Sequence, residues 1–290
     1  MAEQSIVSPG LAVPERRVKV IRPASFSPLN SFAHISALAE YTDLFLTLSL
    51  HRIKVRYKQS ALGIAWALLQ PLSMMLIYTV IFSVVTKMPS NGMPYAVFVY
   101  TALLPWTYFA TAVTTATSSL VSHINLVTKV YLPREILPFS YIVVGIFDFV
   151  IASTVLAGLM IFYRVPVSPA ILWVIPILII ETMLISALTL LFAAIQVQFR
   201  DLGLAMALLM QLWMFATPVV YPLSAVPARL RGWYLLNPMA GIVEGFRRAV
   251  LQRAGPDSDS LLEALIISAI LLPLAYIYFK YRDRSIADII

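Results

Sequence analysis

Arg52, Lys54, Arg56 and Lys58 alternate with Ile53, Val55 and Tyr57 just ahead of a long apolar run. Taken alone, that alternation is strand spacing. A lone strand at a membrane surface would leave its edges unpaired, so a helix is the better reading. On a helix Arg52 and Arg56 share one face, and Lys54 and Lys58 share another. Their chemistry is attraction of phosphate. It serves either anchoring to anionic headgroups or capture of the phosphate on a lipid substrate. Two carboxylates, Asp148 and Glu181, interrupt other apolar runs. A carboxylate at mid-membrane costs about 2.5–3.5 kcal/mol on insertion scales, so it needs a partner or a task. With no Lys, Arg or His inside the same runs, pairing between helices ranks above a proton relay. Other chemistry is missing. None of the ten glycines is followed by Lys, so there is no phosphate loop. His34, His51 and His123 lack metal-ligand spacing, no Gly-x-Ser-x-Gly elbow occurs, and there is no Cys.

The elements that must carry these residues are set by composition. Of 290 residues, 60% are hydrophobic and only 12% charged, against about 25% charged in a soluble domain. Mean hydropathy is +0.85. These values exclude a soluble enzyme, a disordered chain and a nucleic-acid reader. The net charge of +7 is then a matter of loops facing anionic lipid. A membrane helix needs about 20 apolar residues. Six runs qualify, at about 64–86, 95–120, 138–163, 170–197, 202–222 and 261–279. The expected fold is therefore an all-α integral membrane protein of six transmembrane helices within residues 61–290. It is preceded by an extended, proline-bearing tail at 1–30 and an interfacial helix within 31–60.

Six spans put both termini on one side. Fourteen of the 21 Lys and Arg fall on that side and seven on the other, so both termini are expected in the cytoplasm. Residues 227–260 are too long for a simple turn and too charged to span. Asn237-Pro238 reads as an N-cap with Pro at the first helical position. Met239, Ile242, Val243, Phe246 and Val250 follow at helical spacing, with Glu244, Arg247, Arg248 and Arg253 largely on the other face. Gly255-Pro256 is expected to end this amphipathic or re-entrant helix. Gly241 and Gly245 match a small-residue dimer pattern, weakly, because Glu244 lies between them.

Four stretches resemble one family. Asn125-Leu-Val-Thr-Lys129-Val-Tyr131-Leu-Pro133-Arg134-Glu135-Ile-Leu-Pro138 is similar to the loop between spans two and three of permease subunits of ABC-type polysaccharide exporters, the type-2 exporter class. Arg56-Tyr57-Lys58-Gln59-Ser60-x-Leu62-Gly63-x-x-Trp66-x-x-x-x-Pro71 resembles that family's entry into span one. Phe199-Arg200-Asp201 resembles its turn between spans four and five, and Leu236-Asn237-Pro238 the segment before span six.

The resemblance implies a homodimer in the cytoplasmic (inner) membrane with a channel between the copies. It implies two copies of a separate ATPase subunit that carry ATP and Mg, with no cofactor in this chain. The substrate it implies is a lipid-linked polysaccharide of the O-antigen, capsule or teichoic-acid type. Contacts with membrane lipid are expected, and none with nucleic acid. Arg52, Lys54, Arg56 and Lys58 become the candidate site for the substrate's phosphate. Tyr57, Trp66, Tyr78, Trp106, Tyr108, Trp213, Phe215 and Tyr221 are candidates to line a sugar path, since pyranose faces stack on aromatic rings. Interfacial belts are the plainer reading for most of them. Asn125, Lys129, Tyr131, Leu132, Pro133, Arg134 and Glu135 are candidates for ATPase coupling. Ser122 would cap a short helix there, and Tyr131 and Leu132 would form an apolar knob. Asn237, Pro238, Phe246 and Arg247 would form an outer gate. The competing readings are an ABC permease for a drug, peptide or small lipid, and a proton-coupled secondary transporter.

Overall fold

The computed structural model describes residues 41–58, 60, 62–90, 92–130 and 132–289. The expected tail at 1–30 lies outside them. The described residues are mostly helical, without strands. The first helix, α1 (Thr42–Lys58), falls inside the expected interfacial segment and settles the helix-or-strand question for the basic residues. Gly63, at φ 51°, turns the chain into the next helix; glycine meets no Cβ penalty there. Then come α2 (Ala65–Tyr78), continued as a π-helical turn over Thr79–Val85, and α3 (Tyr95–Thr117). Two short helices follow, α4 (Ser119–Ser122) and α5 (Ile124–Lys129), and then α6 (Ile136–Phe162). After a 3-10 turn at Pro169–Trp173 come α7 (Val174–Gln198) and α8 (Leu202–Phe215). Residues 227–260 form α9 (Ala228–Leu235) and α10 (Pro238–Arg247), the latter extended by a π-helical turn to Gln252, before the last helix begins. The last helix is α11 (Ser258–Ile289).

Among the described residues, five helical segments are long and apolar enough to cross a membrane: Ala65–Val85, Tyr95–Thr117, Ile136–Phe162, Pro169–Gln198 and Ser258–Asp283. The expected span at 202–222 contains the shorter α8, about 21 Å long at 1.5 Å per residue. It stops because Pro218 has no amide hydrogen and its ring crowds the preceding turn. At the helix end the carbonyl of Ala216, which has no further turn to pair with, accepts a hydrogen bond from Asn237 Nδ2 at 3.1 Å. At its other end the bundle exceeds expectation, since α11 runs well past 279 as one helix.

The bundle is built around α3, which packs against α6 and α7 and is buried along nearly its whole length. A helix buried all round must satisfy its polar groups internally, since lipid offers none. Thr101 and Thr117 donate back to carbonyls four residues earlier, and Tyr100 donates to the Ala152 carbonyl of α6. In contrast, α2 buries only Pro71 and Met75 and turns Leu76, Val80 and Val84 outward. The helix α8 likewise presents Leu204, Leu208 and Leu212. A second apolar cluster joins Leu132 and Leu137 to Ala187, Leu190 and Phe279 at the end of the bundle where α5 lies.

Candidate functional site

The basic helix α1 divides by face as helical spacing requires, but its four cations do not act alike. Arg52 is turned inward, 9% exposed, and lies over the Tyr141 ring with its guanidinium carbon 3.9 Å from the centroid. Its Nε donates to Ser140 Oγ at 2.6 Å and its Nη1 donates to His123 Nε2 at 3.2 Å. Burial lowers the Arg52 pKa from its usual value. His123 in turn faces the Ser119 carbonyl through Nδ1 at 3.0 Å. That pattern is a neutral ring with its proton on Nδ1. Burial, and then the Arg52 charge, push the His123 pKa below its ordinary value. Arg52 is therefore a strut between α1, α4 and α6 rather than a free phosphate ligand. Of the expected set, Lys54 and Lys58 remain exposed, and Arg56 is partly so.

Arg56 reaches into the bundle and pairs with Asp148 at 3.0 Å. Tyr57 donates its hydroxyl to the same carboxylate. Burial, followed by this bond, raises the Tyr57 pKa. The charge that relieves Asp148 thus comes from the interfacial helix, outside the apolar runs where a partner was sought. Around the pair lies a recess of about 30 Å³ lined by Gln70, Thr107, Tyr108 and Thr111. Gly145 makes room for it, because a Cβ there would stand 3.0 Å from the Tyr108 ring. Glu181 is fully buried on α7 beside Thr182, whose hydroxyl bonds Tyr108 at 3.0 Å.

The other candidate aromatics scatter. Trp106 and Tyr108 are in the core, and Trp213 meets the Phe109 ring edge-on at 5.1 Å. Tyr78 is half-buried against Met214, and Tyr221 bonds Tyr234 and the Phe215 carbonyl. Trp66 and Phe215 face outward. An apolar recess of about 330 Å³ opens beside Leu209, Leu212 and Trp213.

The loop between α3 and α6 is more tied down than the sequence implied. Its short helices are α4 and α5, and His123 stands at the head of α5, so Ser122 ends a helix instead of capping one. Asn125 and Lys129 are exposed on α5, and Pro133 is partly buried. Tyr131 lies outside the described residues. Leu132 is buried in the second cluster, so it cannot serve as an outward knob. Arg134 and Glu135 are also engaged internally. Glu135 is buried and pairs with Lys280 at 2.6 Å, while Arg134 bonds the side chain of Asp283 at 2.8 Å and its carbonyl. Sequence reasoning missed Lys280 and Asp283. A signal existed: just past the last apolar run a cation and then an anion follow in the same order as Arg134 and Glu135, so segments crossing in opposite directions bring unlike charges together.

At the far end of the bundle Asn237 does cap its helix. Its Oδ1 accepts from the Met239 amide at 3.1 Å and from Trp213 Nε1 at 2.9 Å, fixing α10 to α8. Pro238 is the first helical residue and is buried, as is Phe246. The helix ends at Arg253, in the left-handed region at φ 55°, ahead of the expected Gly255-Pro256. Arg247 corrects the amphipathic reading. It has no exposed surface, pairs with Glu244 at 2.8 Å and donates to the carbonyls of Pro218 and Val219 at 2.9 and 3.0 Å. Its charge is satisfied by backbone acceptors left over where α8 stops. Gly241 and Gly245 also face inward, against Ser260 and Pro256, so they are not a dimer stripe.

Comparison with known proteins gives a consistent picture. Residues 43–251 match the family model described as ABC-2 type transporter. The chain is 34% identical over 257 residues to the O-antigen export system permease protein RfbA of Myxococcus xanthus, covering 88% of this chain and 98% of that protein. It is 28% identical to an RfbA permease of Klebsiella pneumoniae, covering 84% and 95%. The polysialic acid transport protein KpsM of Escherichia coli is 21% identical over 82% of this chain and 93% of its own length.

Proposed function

The chain belongs to the ABC-2 type transporter family, and from that premise we propose that it is the permease of an O-antigen-like, lipid-linked polysaccharide exporter in the inner membrane. It is a multi-pass transport subunit and not an enzyme. The observation that carries the substrate class is similarity over nearly the full length of O-antigen export permeases. ATP hydrolysis belongs to a separate subunit, because this chain has no phosphate loop. Two such ATPases dock on the cytoplasmic side, where α5 offers Asn125 and Lys129. Both termini lie on that side.

The bare apolar faces of α2 and α8 support a homodimer. A polymer path between two copies would run beside those helices, near Trp66 and Phe215. Lys54 and Lys58 draw the lipid phosphate to the inner leaflet, and the cap at Asn237 holds the outer gate. The pairing of Asp148 with Arg56 weighs against a proton-driven carrier.

The test is reconstitution. The purified chain alone hydrolyses no ATP, while the complex with its ATPase moves a polyprenyl pyrophosphate-linked oligosaccharide in an ATP-dependent manner. Transport driven by a pH gradient without the ATPase would sink this reading.

A further inference from the structure

Two ion pairs join the loop after α5 to the end of α11, and their polarities are opposite. The loop gives the cation in one, Arg134 to Asp283, and the anion in the other, Glu135 to Lys280. Lys280 and Asp283 lie three residues apart, so they share one face of α11. The arrangement fixes register: a slip of α11 by one turn would bring Asp283 toward Glu135 and set like charges together. The clamp is also apolar, since Leu132 and Phe279 pack in one cluster, and Lys280 lies 5.7 Å above the Tyr276 ring. Glu135 is buried, so the contact holds where water competes little.

The other end of α11 is held as closely. A Cβ on Gly241 would stand 2.4 Å from the Ser260 carbonyl, so α10 and α11 touch backbone to backbone. Ser260 and Lys280 are 20 residues apart, about 30 Å along a helix and so about one bilayer thickness. Along that length α7 packs against α11. A single helix therefore links the cytoplasmic loop to the outer segment.

We propose that Arg134 and Glu135 are positioning residues that clamp the loop to α11, so that displacement of the loop moves α11 and, through the Gly241–Ser260 contact, the outer helix α10. This rests on the reading of the loop as the ATPase contact. It assigns docking to the exposed α5 face and transmission to the buried pairs.

The test uses the permease–ATPase complex in proteoliposomes. The chain has no Cys, so Arg253→Cys, on an exposed residue after α10, reports the outer segment through its labelling rate with an impermeant maleimide. With only that substitution, adding ATP changes the rate by about fivefold or more, the low end of ordinary site–site coupling. Glu135→Gln keeps the side-chain shape, retains the ATPase and its turnover, and abolishes the ATP-dependent change. Arg134→Asp abolishes it too, and adding Asp283→Arg restores it. A full response in Glu135→Gln overturns the proposal. Loss of the ATPase from Glu135→Gln overturns it differently, by making Glu135 a docking contact while leaving the docking reading intact. No ATP response in the Arg253→Cys background, with the ATPase bound, removes the transmission route itself. Retention of the ATPase after Lys129→Glu and Val130→Asp together would instead sink the docking reading.

Discussion

Arg247 lies over the ring of Phe98, its guanidinium carbon 4.0 Å from the ring centroid, and no part of the side chain reaches the surface. The cation joins three elements at once. It stacks on α3, pairs with Glu244 on its own helix, and closes the turn after α8 through the Pro218 and Val219 carbonyls. Tyr95 binds the next carbonyl, that of Val220, at 2.6 Å. Arg247→Ala leaves those acceptors and Glu244 without a partner. Breaking such a buried set costs about 3 kcal/mol, or roughly 6–12 °C in a chain this size. Lysine restores the charge but not the planar fork. Thermal unfolding in detergent should rank wild type above Arg247→Lys and that above Arg247→Ala. Equal midpoints for all three would show that the cation carries no structural load.

The Gly241 contact predicts a sharp contrast between two glycines. At Gly241 an added Cβ would collide with the rigid Ser260 carbonyl, whereas at Gly158 nothing lies within 4 Å. Gly241→Ala should cost about 1–3 kcal/mol by forcing α10 off α11. Gly158→Ala, within α6, should be neutral or stabilise by a few tenths to about 1 kcal/mol through helix propensity. Unfolding midpoints of the two variants decide this, and equal shifts would refute the close approach.

The glycine and arginine cases mark what the sequence could and could not tell. Apolar run length found the long helices, because a membrane demands it. Asn237-Pro238 announced the start of α10 through local capping chemistry, which needs no tertiary knowledge. Arg247 was misplaced because periodicity assigns faces by polarity, and it cannot see backbone carbonyls waiting inside the protein. The end of α8 depended on Pro218 and on Asn237, which lies far along the chain. Arg52, Arg134 and Glu135 stand out in the sequence, but their partners Ser140, Asp283 and Lys280 lie far along the chain, where run length and helical spacing do not connect them. The family resemblance supplied the function class, and it did not say which loop residues face inward.

The His123 environment gives a pH dependence with a definite sign. In the folded chain Nε2 accepts from Arg52, and the Tyr141 ring also faces the imidazole edge-on at 6.1 Å. Its pKa is lowered by burial and by Arg52, whereas the unfolded value is about 6.5. The unfolded state therefore takes up the proton first as pH falls. The stabilisation is fully present above about pH 6.5 and is lost as pH drops toward the folded pKa, with a limiting slope of about 1.4 kcal/mol per pH unit. Unfolding measured from pH 8 to pH 5 should show this loss. His123→Gln should flatten it. A wild-type profile flat through pH 5–6.5 would contradict the neutral, Arg52-bound ring.

Docking and folding can be separated in the loop between α3 and α6. Asn125 and Lys129 lie four residues apart on α5, so they share a face, and Val130 is 48% exposed beside them. Leu132, 8% exposed, belongs to the interior cluster with Phe279. A partner subunit can touch only the first group. Interface energies concentrate in a few contacts, so Lys129→Glu with Val130→Asp should weaken ATPase retention about tenfold or more, equivalent to about 1.4 kcal/mol. The unfolding midpoint of the permease should stay unchanged. Leu132→Ala should do the reverse. A buried Leu→Ala change costs about 2–5 kcal/mol, so the midpoint falls, while the folded fraction still holds its ATPase in the normal ratio. Co-purification stoichiometry and thermal unfolding, measured on the same preparations, resolve the two effects. If the surface double variant keeps its ATPase, the docking face lies elsewhere, and the exposed Leu46 and Leu50 of α1 are the next residues to change.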